Sequence, residues 1–307
     1  MEQHHHVERS GFRRLQLALA IVVTVMVAEV LGGIFSGSLS LLGDAGHMLV
    51  DAFALGLSLF AMTMARRPAT ATKTFGYHRL EILAALANGV ILMLVSIAVF
   101  YEAYKRLLSP PVVETPLMLG VAVIGLVANV GGLLLLRSPR HGSLNVQSAF
   151  WHILGDTVSS LGVIIAGIVI LLTGWYPADT FAALFIGIII VWGAVRIVRA
   201  AADILLEAVP RHLDLENVAA AIREIPGVNE VHDMHIWTIT SGIFALSTHL
   251  VIDDQSVSGS VEIIEAVQRE LSRRYNISHT TLQLECDSCP SGLVCKLDPH
   301  DTGKDAD

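Results

Sequence analysis

The chain has 307 residues, 53% of them in the hydrophobic set and only 16% charged, with a mean hydropathy of +0.61. That balance excludes an ordinary soluble domain and points to a membrane protein. The formal net charge of −8 lies largely in the C-terminal third and argues against nucleic acid as a partner, and three cysteines supply no disulfide framework.

Crossing a hydrocarbon core takes about 20 mostly apolar residues per helix. Runs of that kind lie near 15–35, 39–65, 80–101, 117–136, 146–173 and 179–200. The first is too long for a signal peptide and lacks a small-residue cleavage site before a polar start, so it reads as a retained span. With six spans, Arg9, Arg13, Arg14, Arg66, Arg67, Lys73, Arg79, Arg137, Arg140, Arg196, Arg199 and Arg211 fall on one side, and Lys105 and Arg106 on the other. Because basic loops stay in the cytoplasm, both termini are expected there.

After Glu207 the character changes. Pro210 breaks the apolar pattern, and Asp214 opens a segment with Val218, Ala221, Ile222 and Ile225 at helical spacing. Val228–Thr240 and Ile243–Ile252 read as strands joined through Ser241 and Gly242, Val261–Leu271 as a helix, and Thr280–Glu285 as a last strand. The order αββαβ describes a small sheet with helices on one face, near the lower size limit for independent stability, so that dimerisation would help it. The chain thus divides into an N-terminal tail (1–12), a transmembrane domain (13–207), a soluble domain (208–290) and a disordered tail (291–307).

Each ionisable group within a bilayer costs about 2.5–3.5 kcal/mol on insertion scales and needs a reason to be there. In the second span His47 and Asp51 are four residues apart, and His152 and Asp156 repeat the spacing in the fifth. A separation of four puts both side chains of a pair on one helix face. If the two faces meet, two imidazole nitrogens and two carboxylate oxygens converge, a donor set that suits tetrahedral zinc at roughly 2.0–2.2 Å. Calcium, magnesium and manganese prefer oxygen shells. The plainer alternative, in which each His merely pairs with its helical neighbour, suffices for one pair but explains two identical pairs poorly. Asp44, three residues before His47, is placed to orient an imidazole, or else simply starts the helix. Glu29, Asn88 and Asn129 either line a path or make interhelical hydrogen bonds. Alternating access is expected to tilt helices two and five against the rest, with small residues such as Gly43, Gly46, Gly155 and Gly162 allowing close approach.

These residues occur in an ordered set: Ser38-Leu39-Ser40-Leu41-Leu42 before Asp44 and His47-x-x-x-Asp51, Phe75-Gly76-Tyr77-His78-Arg79-Leu80-Glu81 opening the third span, and Ser143-Leu144-Asn145-Val146 before His152-x-x-x-Asp156. Leu205-Leu206-Glu207-Ala208-Val209-Pro210 and Val231-His232-Asp233-Met234-His235-Ile236-Trp237 follow. Over nearly its full length the chain resembles the cation diffusion facilitators, in particular their zinc-transporting members. The resemblance implies six transmembrane helices, a cytosolic ferredoxin-like domain, a homodimer, and export of Zn2+ in exchange for H+ through His47, Asp51, His152 and Asp156. It also implies that Asp in place of the second-span His admits cadmium, and that the cytosolic domain binds regulatory zinc through the stretches holding His232 and His249. Leu284 stands where some relatives place a third His, so Glu285, Cys286 and Cys289 are the candidates to complete that site, with exposed reduced thiols as the alternative for the cysteines. The short loop between spans four and five and the lack of a sorting signal favour a bacterial inner membrane. A zinc-dependent membrane hydrolase and a membrane-bound zinc sensor are the competing functions. The former lacks a His-Glu-x-x-His motif and an open ligand position.

Overall fold

The computed structural model describes residues 23–65, 67–135, 144–286 and 292–294; along 144–153 it describes the backbone. Six long helices come first: α1 (Val23–Ser36), α2 (Leu39–Ala65), α3 (Arg79–Leu108), α4 (Thr115–Leu135), α5 (Leu144–Thr173) and α6 (Pro177–Leu205). They are followed by α7 (Leu215–Arg223), β1 (Glu230–Thr240), β2 (Ile243–Val251), α8 (Val261–Tyr275) and β3 (Ile277–Glu285). The chain forms a helical transmembrane domain and a small C-terminal α+β domain. It divides into two compact units, one from residues up to Leu59 together with Ala84–Val198, the other from Phe60–Leu83 and Arg199 onward.

In the first unit, apolar side chains point both inward and outward. Leu41, Leu92, Met118, Val163 and Ile186 form a buried core across α2 to α6. Leu94, Ile97, Leu172, Ile188 and Trp192 are each at least 60% exposed. An outer surface this apolar is expected where the solvent is hydrocarbon, and helices satisfy every backbone hydrogen bond internally there. Among the described residues, Arg79–Leu108, Leu154–Thr173 and Pro177–Leu205 are long and apolar enough to cross a membrane, and α1 and α4 contribute shorter apolar stretches.

Element boundaries differ from the sequence reading where apolarity alone set them. Helix α3 runs on to Leu108 because Glu102 pairs along the helix with Lys105 at 3.2 Å and Arg106 at 3.3 Å, which extends it beyond the apolar run. Helix α6 opens on Pro177, whose fixed φ suits a first helical position. Of the glycines expected to allow close approach, Gly43 and Gly46 face Val99 and Val95 of α3, while among the described residues nothing lies within 4 Å of where a side chain would begin at Gly155 or Gly162. Polar side chains make the contact between α2 and α5.

The C-terminal domain has the αββαβ order read from the sequence. Asp214 caps α7 by accepting from the Asn217 backbone N–H at 2.9 Å. Strands β1 and β2 are antiparallel through a tight turn in which Gly242 takes φ 79°, and β3 adds parallel to β2. Strand β3 begins at Ile277, earlier than its alternating pattern suggests, because pairing with Phe244 buries that residue. Val218, Ile222, Ile236, Leu246, Leu250, Val267 and Leu271 fill the core between the sheet and the two helices. Strand β1 carries a bulge between His232 and His235, with Asp233 at φ 46° and Met234 donating to the Leu293 carbonyl at 2.9 Å.

Candidate metal centres and the family they define

The transmembrane group is built on α2 and α5. His47 and Asp51 share one face of α2, and the His47 Nε2 lies 3.3 Å from Asp51 Oδ2 and 3.8 Å from Asp156 Oδ1 of α5. Asp156 is buried, whereas His47 and Asp51 retain about a quarter of their side-chain exposure. The structure therefore brings together three of the four residues singled out in the sequence. The backbone places His152 one turn before Asp156 on α5, and its side chain lies outside the described residues. Such a cluster offers an imidazole and two carboxylates to a cation at the meeting point of two helices.

Asp44 is fully buried, and it accepts a hydrogen bond from Ser159 Oγ of α5 at 2.6 Å. It is thus fastened to α5 one turn beyond Asp156 rather than standing at a wet helix start. Asn129 of α4 donates to Ser160 Oγ at 3.3 Å, the interhelical role open to it from sequence. Glu29 of α1 is 1% exposed.

Asp179, in the first turn of α6, is a residue that sequence reasoning missed. Its Oδ1 accepts from Ser38 Oγ at 2.6 Å, Ser40 Oγ at 2.5 Å and the Ser40 backbone N–H at 3.2 Å, and its Oδ2 accepts from the Leu39 N–H at 2.6 Å. Arg106 of α3 donates to the Gly37 carbonyl and lies 3.9 Å from the same carboxylate. A buried carboxylate thereby meets the free N–H groups and positive end of α2, which fixes where the helix carrying His47 and Asp51 begins. The signal in the sequence was the Ser-Leu-Ser motif, whose partner lies 140 residues further on in α6.

A second group lies in the C-terminal domain. His232 and His249 face each other across β1 and β2, with ring centroids 5.2 Å apart. Glu285, at the end of β3, reaches both, its Oε2 3.1 Å from His232 Nε2 and its Oε1 2.9 Å from His249 Nδ1. One ligand atom from each of the three falls within 4.8 Å of the others. His232 is 1% exposed, and neither ring nitrogen has a hydrogen-bond partner among the described residues. A buried imidazole whose ring nitrogens make no well-formed hydrogen bond among the described residues, set beside a carboxylate and a second imidazole, is the chemistry a zinc-like ion would satisfy. The β1 bulge adds Asp233, whose carboxylate lies 3.6 Å from His249 Nε2 and 3.2 Å from His235 Nε2. Strict alternation hid this residue, because only the extra residue of a bulge re-aims it. Cys286 is exposed and free and stands outside the three-residue group; Cys289 lies outside the described residues. His279 packs edge-on against Phe75 at 5.4 Å.

The sequence motif that opens α3 has a structural use within its own unit. Arg79 donates to Glu207 at 2.6 Å, and Glu81 accepts from Thr240 at 2.7 Å and Ser241 at 3.1 Å in the β1–β2 turn.

A bundle of apolar helices with a His–carboxylate group between α2 and α5, followed by an αββαβ domain with its own His–carboxylate group, fits a membrane protein that handles metal cations. A family model described as the cation efflux transmembrane domain matches residues 15–206, and one described as the cation efflux protein cytoplasmic domain matches residues 210–287. The chain belongs to the cation efflux family, the cation diffusion facilitators, which are metal-cation transporters rather than enzymes. That membership removes the hydrolase alternative. The chain is 40% identical over 287 residues to the metal cation efflux system protein CzcD of Cupriavidus metallidurans, covering 93% of this chain and 90% of that protein. It is 38% identical over 288 residues to the cadmium, cobalt and zinc/H(+)-K(+) antiporter of Bacillus subtilis, covering 93% and 92%. With the zinc transporter ZitB of Escherichia coli it shares 37% identity over 305 residues, covering 97% and 95%. The solved metal-bound C-terminal domain of the CzcD transporter is 37% identical and covers 24% of this chain and 99% of its own, with a TM-score of 0.22.

Removing the cap on α2 should loosen the whole bundle. Asp179→Ala strips two buried serine hydroxyls and two backbone N–H groups of their acceptor, and the expected loss is at least about 2 kcal/mol. Thermal unfolding of the purified protein in detergent checks this, the variant melting several degrees below the parent.

Proposed function

We propose that this protein exports Zn2+ from the cytosol in exchange for H+, through a tetrahedral site made by His47, Asp51, His152 and Asp156. The observation that carries the reading is the approach of His47 on α2 to both Asp51 and Asp156 within a bundle whose core and outer surface are largely apolar. Two of the relatives support it by name, one as a zinc transporter and one as an antiporter of cadmium, cobalt and zinc against protons and potassium.

The exchange follows from the donors themselves. Zinc takes a neutral imidazole and an ionised carboxylate, so metal and proton compete for the same atoms. An imidazole with an ordinary pKa near 6.5 gives up its proton at cytosolic pH and regains it on a more acidic side. Binding on the cytosolic face therefore expels protons, and acid on the far face expels metal. Seen this way, Asp179 holds the start of α2 in register, and Asp44 with its Ser159 bond ties α2 to α5, so that the metal-binding faces tilt as one piece during alternating access.

The same reading assigns residues 13–207 to transport and 208–290 to a cytosolic domain that pairs two copies and senses zinc, with both termini in the cytoplasm of a bacterial inner membrane. His232, His249 and Glu285 are its regulatory ligands, Asp233 a fourth donor within reach, and zinc bound there serves to report cytosolic metal. Cys286 and Cys289 are not needed for a three-residue set.

In proteoliposomes loaded with a fluorescent zinc indicator, zinc uptake should be driven by an acidic lumen and slow when the lumen is made alkaline, since protonation on the release side displaces the metal. Asp51→Ala and Asp156→Ala should each lower the flux by more than the roughly 10- to 100-fold that follows loss of even an outer-sphere partner, while the protein still elutes as a folded species. Unchanged flux in either variant refutes the assignment. Replacing an imidazole by a third carboxylate should relax the preference for zinc, so His47→Asp is expected to raise cadmium flux relative to zinc in a competition assay; a ratio that stays put or moves toward zinc contradicts it.

A further inference from the structure

We propose that Glu29 is a proton-carrying residue of this exchange, holding a proton that leaves as metal enters the neighbouring site and returns as metal departs. The inference rests on the zinc/proton reading above and adds a carrier outside the metal's own ligands.

Four observations carry it. Glu29 lies midway along the described part of α1 and is 1% exposed. Its carboxyl packs onto α4 at Gly125, where a side chain would begin 2.7 Å from Oε1. Its Oε2 is buried and has no hydrogen-bond partner among the described residues. Among the described residues, the carboxylates of Asp44 of α2 and Asp156 of α5 lie near enough to act on it electrostatically, and neither α4 nor the rest of described α1 contains a Lys, Arg or His.

A third carboxylate ionised here would face two others across a medium that screens poorly, with one oxygen lacking any donor. Asp44 is differently placed, because Ser159 donates to it at 2.6 Å. As the neutral acid, Glu29 needs no counter-charge. A doubly charged cation seated between His47, Asp51 and Asp156 reverses the balance: its field offsets a new negative charge close by, just as a bound metal inverts the local preference of groups around it. The Glu29 O–H bond then breaks, its electron pair stays on the carboxylate, and the proton passes to water on whichever side is open. When the cation leaves, the carboxylate is again uncompensated and takes a proton back.

The test counts protons released when zinc is added to the purified full-length protein in weakly buffered detergent solution, using a pH-indicator dye. Glu29→Gln should still bind zinc and release about one proton fewer per zinc than the parent, as expected if one titrating group is removed. Equal release from both overturns the role of Glu29 and leaves the exchange reading standing; a parent that releases no protons defeats the exchange reading itself. Should Glu29→Gln fail to fold or to bind zinc, infrared difference spectra of the parent labelled with carboxyl-13C glutamate decide the matter. Loss of a labelled carboxylic-acid carbonyl band on zinc addition supports the proposal, and no loss overturns it.

Discussion

A carboxylate buried among apolar helices has to be met by a hydrogen-bond set, a counter-charge or a proton, since water is not there to do it. The transmembrane helices contain several such groups, and each meets the demand in a different way. Asp179 is met by two serine hydroxyls and the N-terminal N–H groups of α2. Asp44 is met by a serine of α5. Asp51 and Asp156 share the His47 imidazole, a partner that a metal ion can replace. The first two solutions hold helices together; in the proposed reading the third is exchangeable, and exchangeability is what a transporter needs. Stability and transport are thus separate uses of one kind of side chain, divided according to whether its partner can leave.

Much of this was legible in the sequence because membrane solvent makes polar residues conspicuous. His47, Asp51 and Asp156 stood out as ionisable residues in apolar runs, and the four-residue spacing on α2 indicated a shared face. The αββαβ order was likewise readable from period and turn chemistry, with Gly242 marking the hairpin. What could not be read was pairing at long range. Asp179 sits at the edge of a span, where an acidic residue attracts no notice, and its partners Ser38 and Ser40 lie in another helix. Nothing in either local pattern links them. The glycines show the same limit: small residues permit close approach, but only the tertiary arrangement decides which neighbour arrives, and at Gly43 and Gly46 that neighbour is α3.

The C-terminal domain illustrates how one irregularity changes a site. His232 and His249 are cross-strand partners, as their predicted strands allow. Asp233 joins them because an extra residue in β1 forces a left-handed backbone conformation and breaks the alternation that would turn its side chain away. Among the described residues the result is a group of imidazoles and carboxylates, a harder donor set than a cysteine-containing one.

The central claim is that the transmembrane metal is held by two imidazoles and two carboxylates. X-ray absorption at the zinc edge tests it most directly, on full-length protein loaded with one zinc per chain and carrying His232→Ala, His249→Ala and Glu285→Ala, so that the C-terminal group is silent. The account predicts a shell of about four nitrogen and oxygen donors near 2.0 Å, with the outer-shell scattering of two imidazoles, one of which disappears in a further His152→Ala variant. A sulfur-containing or six-coordinate shell, or a spectrum that His152→Ala leaves unaltered, contradicts it.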